Sequence, residues 1–514
     1  MLQCISLIGL LVMIGLAWLM SSARRHIPWR LVATGMLLQL VIAAILFNSQ
    51  SWRFPKTYHP QDFATLVQLV SEGSIPETSA EAYLAELPAW IPEQGTLAER
   101  QVQLTPAQAA ELGIQMSSHP LVVPRFPRGI LFYLVEQFFG QIKTYVDEGA
   151  RFIFAIHPSP GDTHDPLLLL KSFAFGVLPT VIFFSALMSV LYYVGLMRGV
   201  VAAMAWVMRR VMGTSGAESL AAAANVLIGQ TEAPLVIKPY LVGLTRSELN
   251  SVMVGGFATI SGSLMAVFVA RGISGGHLLT ASIVSAPAAL VIAKILQPET
   301  EQPATLGRVQ QRVESNAVNV IDAAAQGATD GMRLAINVTA MLIAFLALLK
   351  LFDSLLWAGG EGAQSFVNLW LTAEAQVDWH WTLNGLLAYL FFPLAWVMGI
   401  EVSDCRIAGQ LLGTKMVANE FVAYLELGDY LEQMRIAGSA AEVQLSQRTQ
   451  VLLTYALCGF SNFASIGIQI GGIGALAPER RGELAQLGLR AMLGGTLACC
   501  MTACVAGVFQ GILH

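Results

Sequence analysis

Gln230, Thr231 and Glu232 stand side by side, with Pro234 close behind, between segments apolar enough to sit in a lipid bilayer. An amide, a hydroxyl and a carboxylate in one run offer both donors and acceptors, which suits them to reading the edge of a polar ligand. Their setting is costly: a carboxylate resists burial in hydrocarbon, and a proline breaks the hydrogen-bond ladder of a spanning helix. The stretch NVLIGQTEAPLVIKPYL, residues 225–241, is therefore either a cytoplasmic turn or a working site. A second stretch, SDCRIAGQLLGTKMVANEFVAYLEL at 403–427, repeats its plan with Lys415, Asn419 and Glu420 at the tip. In both, two short helical patterns flank the polar tip, and neither half can cross a hydrocarbon core of about 30 Å alone. That pattern predicts a re-entrant hairpin. Each is followed by an apolar segment with small and polar residues at its centre, GGFATISGS at 255–263 and CGFSNFASIG at 458–467.

The elements that must hold these residues are transmembrane helices. Of 514 residues, 55% are apolar and only 12% charged, against roughly 25% charged in a typical globular domain. The apolar residues gather in eight windows: 4–21, 31–47, 173–197, 249–270, 278–296, 333–357, 451–473 and 490–511. Windows of this length suit helices that cross a bilayer, so the fold class is an all-α polytopic membrane protein. The net charge of −5 argues against a nucleic-acid partner. Arg24 and Arg25 follow the first window, Arg198, Arg209 and Arg210 the third, Arg308 and Arg312 the fifth, and Arg480 and Arg481 the seventh. If all eight windows cross, every cluster falls in the cytoplasm and both termini lie outside. The first window has its basic residues behind it, the reverse of a secretory signal peptide, and reads as a retained span. A further apolar run at 380–398 would break that parity and is expected at the outer interface. The amphipathic stretch 198–212 reads as an interfacial helix. The six cysteines lie in or beside apolar stretches and read as packing residues.

On this topology the first hairpin enters from the cytoplasm and the second from outside, which makes an inverted repeat. Paired, interrupted hydrophobic segments at matching places in two halves point to a transporter's midplane site. The expected organisation begins with two scaffold helices at 1–50 and an extracytoplasmic insertion at 51–127. An interfacial segment, third span and cytoplasmic interfacial helix follow at 128–212, then the first hairpin, broken helix and fifth span at 213–297. A loop, sixth span and outer helix occupy 298–400, and the second hairpin, broken helix and last span 401–514. The insertion holds nine of the 21 prolines, and 51–120 carries eight acidic against three basic residues. Such a stretch reads as extended, or as a small docking domain.

At these residues the chain resembles the concentrative nucleoside transporter family. The resemblance is carried by GQTEAPLVIKPYL (229–241), NVIDAAAQGATDGMRLAINVTAMLIAF (319–345), NEFVAY (419–424) and ALCGFSNFASI (456–466). VLPTVIFFSALMSVLYYVG (177–195) and SLIGLLVMIGLA (6–17) also fit, and the insertion at 51–127 is a departure. The resemblance implies eight transmembrane helices with two re-entrant hairpins, a homotrimer, elevator-like movement and a place in the cell inner membrane. It also implies that Gln230, Thr231 and Glu232 read the nucleobase, that Phe460 lies near it, and that Glu420, Asn462 and Ser465 hold the ribose. The chemistry suits this division. Gln and Thr match the amide-like edge of a base, whose face stacks on an aromatic ring. One carboxylate accepts both hydroxyls of a diol.

In sodium-coupled members, positions like the Asn225 side-chain oxygen, the Ile228 carbonyl, the Thr259 hydroxyl and the Ile260 carbonyl hold the ion. These are hard oxygen donors near unwound backbone, the kind a Na+ site needs. Protons are the alternative coupling ion, with Glu232 as the titrating group; no cofactor is expected. Two rival readings are a membrane-embedded enzyme using Glu232 and Glu420 as an acid–base pair, and a sensor whose 51–127 domain binds ligand outside.

Overall fold

The computed structural model describes residues 2–48, 56–58, 121–123, 138, 145–146, 149–150, 153, 178–230, 232–306, 317–368, 383–437 and 443–510. Thr231, Arg308, Arg312 and nearly all of the insertion and the interfacial segment after it lie outside the described residues. The chain divides into two units, residues 47–133 and the remainder. In the smaller unit, β1 (Lys56–Tyr58) pairs antiparallel with β2 (Leu121–Val123), Lys56 opposite Val123. This ladder is a departure from an all-α chain.

The larger unit is helical. Its elements are α1 (Leu2–Leu19), α2 (Trp29–Asn48), α3 (Leu178–Val194), α4 (Leu196–Met212), α5 (Gly216–Asn225), α6 (Ala233–Val236), α7 (Arg246–Ala258), α8 (Gly262–Ala270) and α9 (Gly275–Leu296). They continue with α10 (Val320–Asn368), α11 (Leu383–Val397), α12 (Cys405–Val417), α13 (Glu420–Ala437), α14 (Gln447–Ala456), α15 (Phe463–Leu476) and α16 (Arg481–Phe509). Among the described residues, five helical stretches are long and apolar enough to cross a membrane: 2–19, 29–47, 246–269, 275–296 and 478–509. The predicted spans at 249–270 and 451–473 are each two helices with a break, α7–α8 and α14–α15. α3 and α4 bend by 76° at Gly195, whose φ of 91° is one that glycine adopts without strain. That bend delivers the amphipathic α4.

Small residues let the helices close on one another. α16 packs along α1, α7, α9, α14 and α15. A Cβ on its Gly494 would stand 2.6 Å from Leu296 Cδ1, and one on Gly495 would strike Phe257. α10 lies along α3, where a Cβ on Gly327 or Gly331 would stand 2.6 or 2.8 Å from the α3 backbone. α11, the apolar run at 380–398, has 15 residues and packs on α12. At about 1.5 Å per residue it falls short of a bilayer core. The second limb of the second hairpin, expected to end near 427, continues to Ala437. Its last turns are polar but built from good helix formers, Glu432, Gln433 and Arg435 among them.

Candidate functional site

The first hairpin is α5, a tip over residues 226–232, α6 and a 3-10 turn at Lys238–Gly243. Its start is written as S-x-x-E: Ser215 and Glu218 form a reciprocal capping box, and Thr245 with Glu248 does the same for α7. Pro234 falls in the first turn of α6, where a missing N–H costs nothing. The opened backbone of the tip is served by neighbouring elements. Ser282 Oγ donates to the Val226 carbonyl at 2.7 Å, and Gly262 N donates to the Leu227 carbonyl at 3.1 Å. At the far end of the hairpin, Arg480 Nη1 donates to the carbonyls of Leu241, Val242 and Leu244 at 3.3, 3.0 and 2.8 Å.

The two broken helices meet at their breaks. Phe460 N donates to the Thr259 carbonyl at 3.3 Å, so the interruption in one half satisfies the interruption in the other. Gly459 permits this approach: a Cβ there would stand 2.6 Å from the Phe257 carbonyl and 2.7 Å from Cys499 Sγ. That thiol donates to the Cys458 carbonyl at 3.0 Å, a packing role for both cysteines. Tyr424 of the second hairpin stacks on Phe268 with ring centroids 4.2 Å apart, and its hydroxyl donates to the Thr454 carbonyl at 2.6 Å. Lys415 is buried and donates to the Ala456 carbonyl at 2.9 Å, capping the helix before the second break.

Around this junction the polar side chains interlock. Asn462 is the N-cap of α15, its Oδ1 accepting from Ser465 N at 2.8 Å. Capping fixes the amide's orientation, because only its oxygen can receive a backbone N–H. Nδ2 is thereby turned to Glu420, donating to Oε2 at 2.9 Å. From the first hairpin, Gln230 Nε2 donates to Ser465 Oγ at 3.1 Å. Gln230, Glu420, Asn462 and Ser465 are all buried, with Glu420 4% exposed. Four predicted residues, one from each hairpin and two from the start of α15, thus form one linked group. Phe460 is half-buried beside them in sequence, at the break itself. Glu232 differs: it is exposed, and its carboxylate folds over Gly229.

Sequence reasoning passed over Gln469. It is buried on α15, and its Nε2 donates to Gln230 Oε1 at 3.0 Å and to the Met253 carbonyl at 3.2 Å. The signal was there: residues 462, 465 and 469 fall on one helical face, and Gln469 is polar in an otherwise apolar run.

Asn225 and Thr259 converge on Gly255. Thr259 Oγ1 donates to the Gly255 carbonyl at 2.9 Å, and a Cβ on Gly255 would stand 3.2 Å from Asn225 Nδ2. Among the described residues, Asn225 Oδ1 is buried with no hydrogen-bond partner. An orphaned buried acceptor is costly in a finished core and suits an atom that receives a cation. Ile260 is buried and Ile228 half-buried.

Three family models match the chain. They are the Na+ dependent nucleoside transporter N-terminus over residues 8–54, the nucleoside recognition Gate over 174–274, and the Na+ dependent nucleoside transporter C-terminus over 277–507. An uncharacterized transporter of Haemophilus influenzae is 41% identical over 374 residues, 73% of this chain and 84% of that protein. Solute carrier family 28 member 3 of Mus musculus is 41% identical over 405 residues, 78% of this chain and 54% of that protein. Sodium/nucleoside cotransporter 1 of Sus scrofa is 38% identical over 404 residues, 77% of this chain and 59% of that protein. The chain spans about half the length of these animal relatives. Among solved structures, CNTnw in an inward-facing substrate-bound state superposes with a TM-score of 0.72 at 33% identity, covering 100% of this chain and 99% of that one. With the N- and C-terminal models of the Na+ dependent nucleoside transporter in chain order, the nucleoside recognition model between them, and a 41%-identical relative matched over 84% of its length, the chain belongs to the Na+-dependent, or concentrative, nucleoside transporter family.

Proposed function

We propose that the protein is a secondary active transporter that imports nucleosides by sodium symport. The observation that carries this reading is the linked polar group in which the amide of one hairpin tip and the carboxylate of the other meet at the start of α15, after the break in its helix. Gln230, Thr231 and Glu232 read the base, with Phe460 against its face; Glu420, Asn462 and Ser465 take the ribose hydroxyls. The fold is eight crossings and two re-entrant hairpins in an inverted repeat, with both termini outside the cell inner membrane and three copies in the assembly. Alternating access is by elevator-like movement. The inward-facing and outward-facing states recorded for CNTnw support alternation between two sides.

Uptake of labelled uridine and adenosine into proteoliposomes tests this. Accumulation is expected to follow an inward sodium gradient at constant pH, and the nucleoside is expected back chemically unchanged. Conversion of the ligand would make the protein an enzyme, and accumulation driven by a pH gradient without sodium would replace sodium by protons. Free uracil and free ribose are expected to compete poorly, because base and sugar are held by different hairpins. Uracil inhibiting as well as uridine would show that the division is wrong.

Sodium is assigned to Asn225, Ile228, Thr259 and Ile260, supported by the unpartnered Asn225 Oδ1. Thr259→Ala removes one oxygen donor and is expected to raise the sodium concentration for half-maximal uptake roughly tenfold, the scale of one hydrogen-bond-sized contact. Uridine affinity at saturating sodium should change far less. Equal losses in both would place Thr259 outside the ion site.

A further inference from the structure

The carboxamide of Gln469 sits between two partners of different kinds, a fixed backbone carbonyl at Met253 and the movable side chain of Gln230. A backbone carbonyl only accepts, so the end of Gln469 that meets Met253 must be its NH2 group. The same NH2 group meets Gln230, which must answer with its oxygen. Gln230 is then left with its own NH2 turned to Ser465 Oγ. Which end of a carboxamide is nitrogen is ordinarily ambiguous, and here the Met253 carbonyl decides it for both residues. The pair of amides fits because residue 256 is glycine. A Cβ there would stand 2.7 Å from Gln469 Nε2 and 3.0 Å from Gln230 Cβ.

We propose that Gln469 is a positioning residue that sets the hydrogen-bond polarity of Gln230, so that the site shows a donor to the base and selects bases whose facing edge carries an acceptor. The inference rests on the nucleoside reading of this site. Gln230 has two amide protons: one goes to Ser465, and the other remains for a ligand oxygen such as the 4-carbonyl of uracil. Cytosine carries an amine at that position and would meet donor with donor.

Gln469→Glu reverses the chain. An ionised carboxylate only accepts; a protonated one gives its hydroxyl to the Met253 carbonyl and accepts with its other oxygen. In both states Gln230 must turn its NH2 toward position 469 and its oxygen toward Ser465, whose hydroxyl can donate. The site then offers an acceptor where it offered a donor. Gln469→Met removes the constraint and leaves Gln230 free to take either orientation.

The test measures displacement of tritiated uridine by unlabelled uridine and cytidine from the purified, reconstituted protein in sodium buffer. The uridine-to-cytidine affinity ratio is expected to shift toward cytidine by roughly tenfold in Gln469→Glu, and in the same direction by less in Gln469→Met. A merely structural role would weaken both ligands together, and an unchanged ratio in a variant that still binds overturns the inference. If Gln469→Glu fails to fold, the ratio in Gln469→Met decides it alone. Wild-type protein that binds neither nucleoside overturns the nucleoside reading itself, and the inference with it.

Discussion

Glu420→Gln is expected to cut uridine uptake roughly ten- to a hundredfold while the protein folds and assembles as before. A hydrogen bond to a charged group is worth about 1.5–3 kcal/mol, and a carboxylate can accept from both hydroxyls of a diol where an amide oxygen accepts as one group. Folding survives because glutamine has the same shape. Its oxygen can still accept from Asn462 Nδ2, which lies 2.9 Å from Oε2 of the native carboxylate. The Asn462 cap on α15 is untouched, since it uses the other end of that amide. Initial uptake rates normalised to protein in the vesicles, beside a thermal melt, measure both parts. The loss should be much smaller for 2′,3′-dideoxyuridine, which has no diol to lose. Wild-type uptake of uridine, or equal losses for both ligands, would remove Glu420 from the ribose.

The places where the helices break were legible because glycine, serine and threonine interrupt runs that are otherwise apolar. Thr259 to Ser261 and Leu457 to Asn462 are those interruptions in three dimensions. What the breaks do for each other was not legible. The contact from Phe460 N to the Thr259 carbonyl is between backbone atoms, and no side chain announces it. Glu420, Asn462 and Ser465 could be picked out from residue type, yet their order could not: the cap made by Asn462 determines which of its atoms meets Glu420. Gln469 was missed because one polar residue in an apolar helix reads as a packing contact until its neighbours are seen. Helix ends were misjudged where apolar pattern and helix propensity part company. α10 runs from Val320 to Asn368, well past the window at 333–357, so the helix outlasts its apolar stretch at both ends.

Lys294→Met is expected to destabilise the protein by about 3–5 kcal/mol, the usual cost of leaving a buried charge without its partner. Lys294 ends α9 with its ammonium 2.9 Å from Glu218 and 3.2 Å from Glu299, and it donates to Ser247 Oγ at 2.9 Å. Lys294 is 3% exposed and Glu218 2%. Glu299 is 22% exposed, so the charge stranded in the interior is Glu218. That residue also closes the Ser215 capping box at the root of the first hairpin, with Oε1 accepting from Ser215 N at 2.8 Å. A charge left bare there would loosen the hairpin where it joins the body. Adding Glu218→Gln to Lys294→Met should recover most of the loss, because glutamine keeps the acceptor for Ser215 and removes the charge. Melting of purified protein in detergent measures this, with a fall of several degrees for the single variant and a partial return for the double. A single variant that melts with the wild type would mean that Glu218 does not depend on Lys294. The capping boxes, the Arg480 contacts and the bonds from Gly216 N and Ala217 N to Thr305 would then hold the root of the first hairpin without the ion pair.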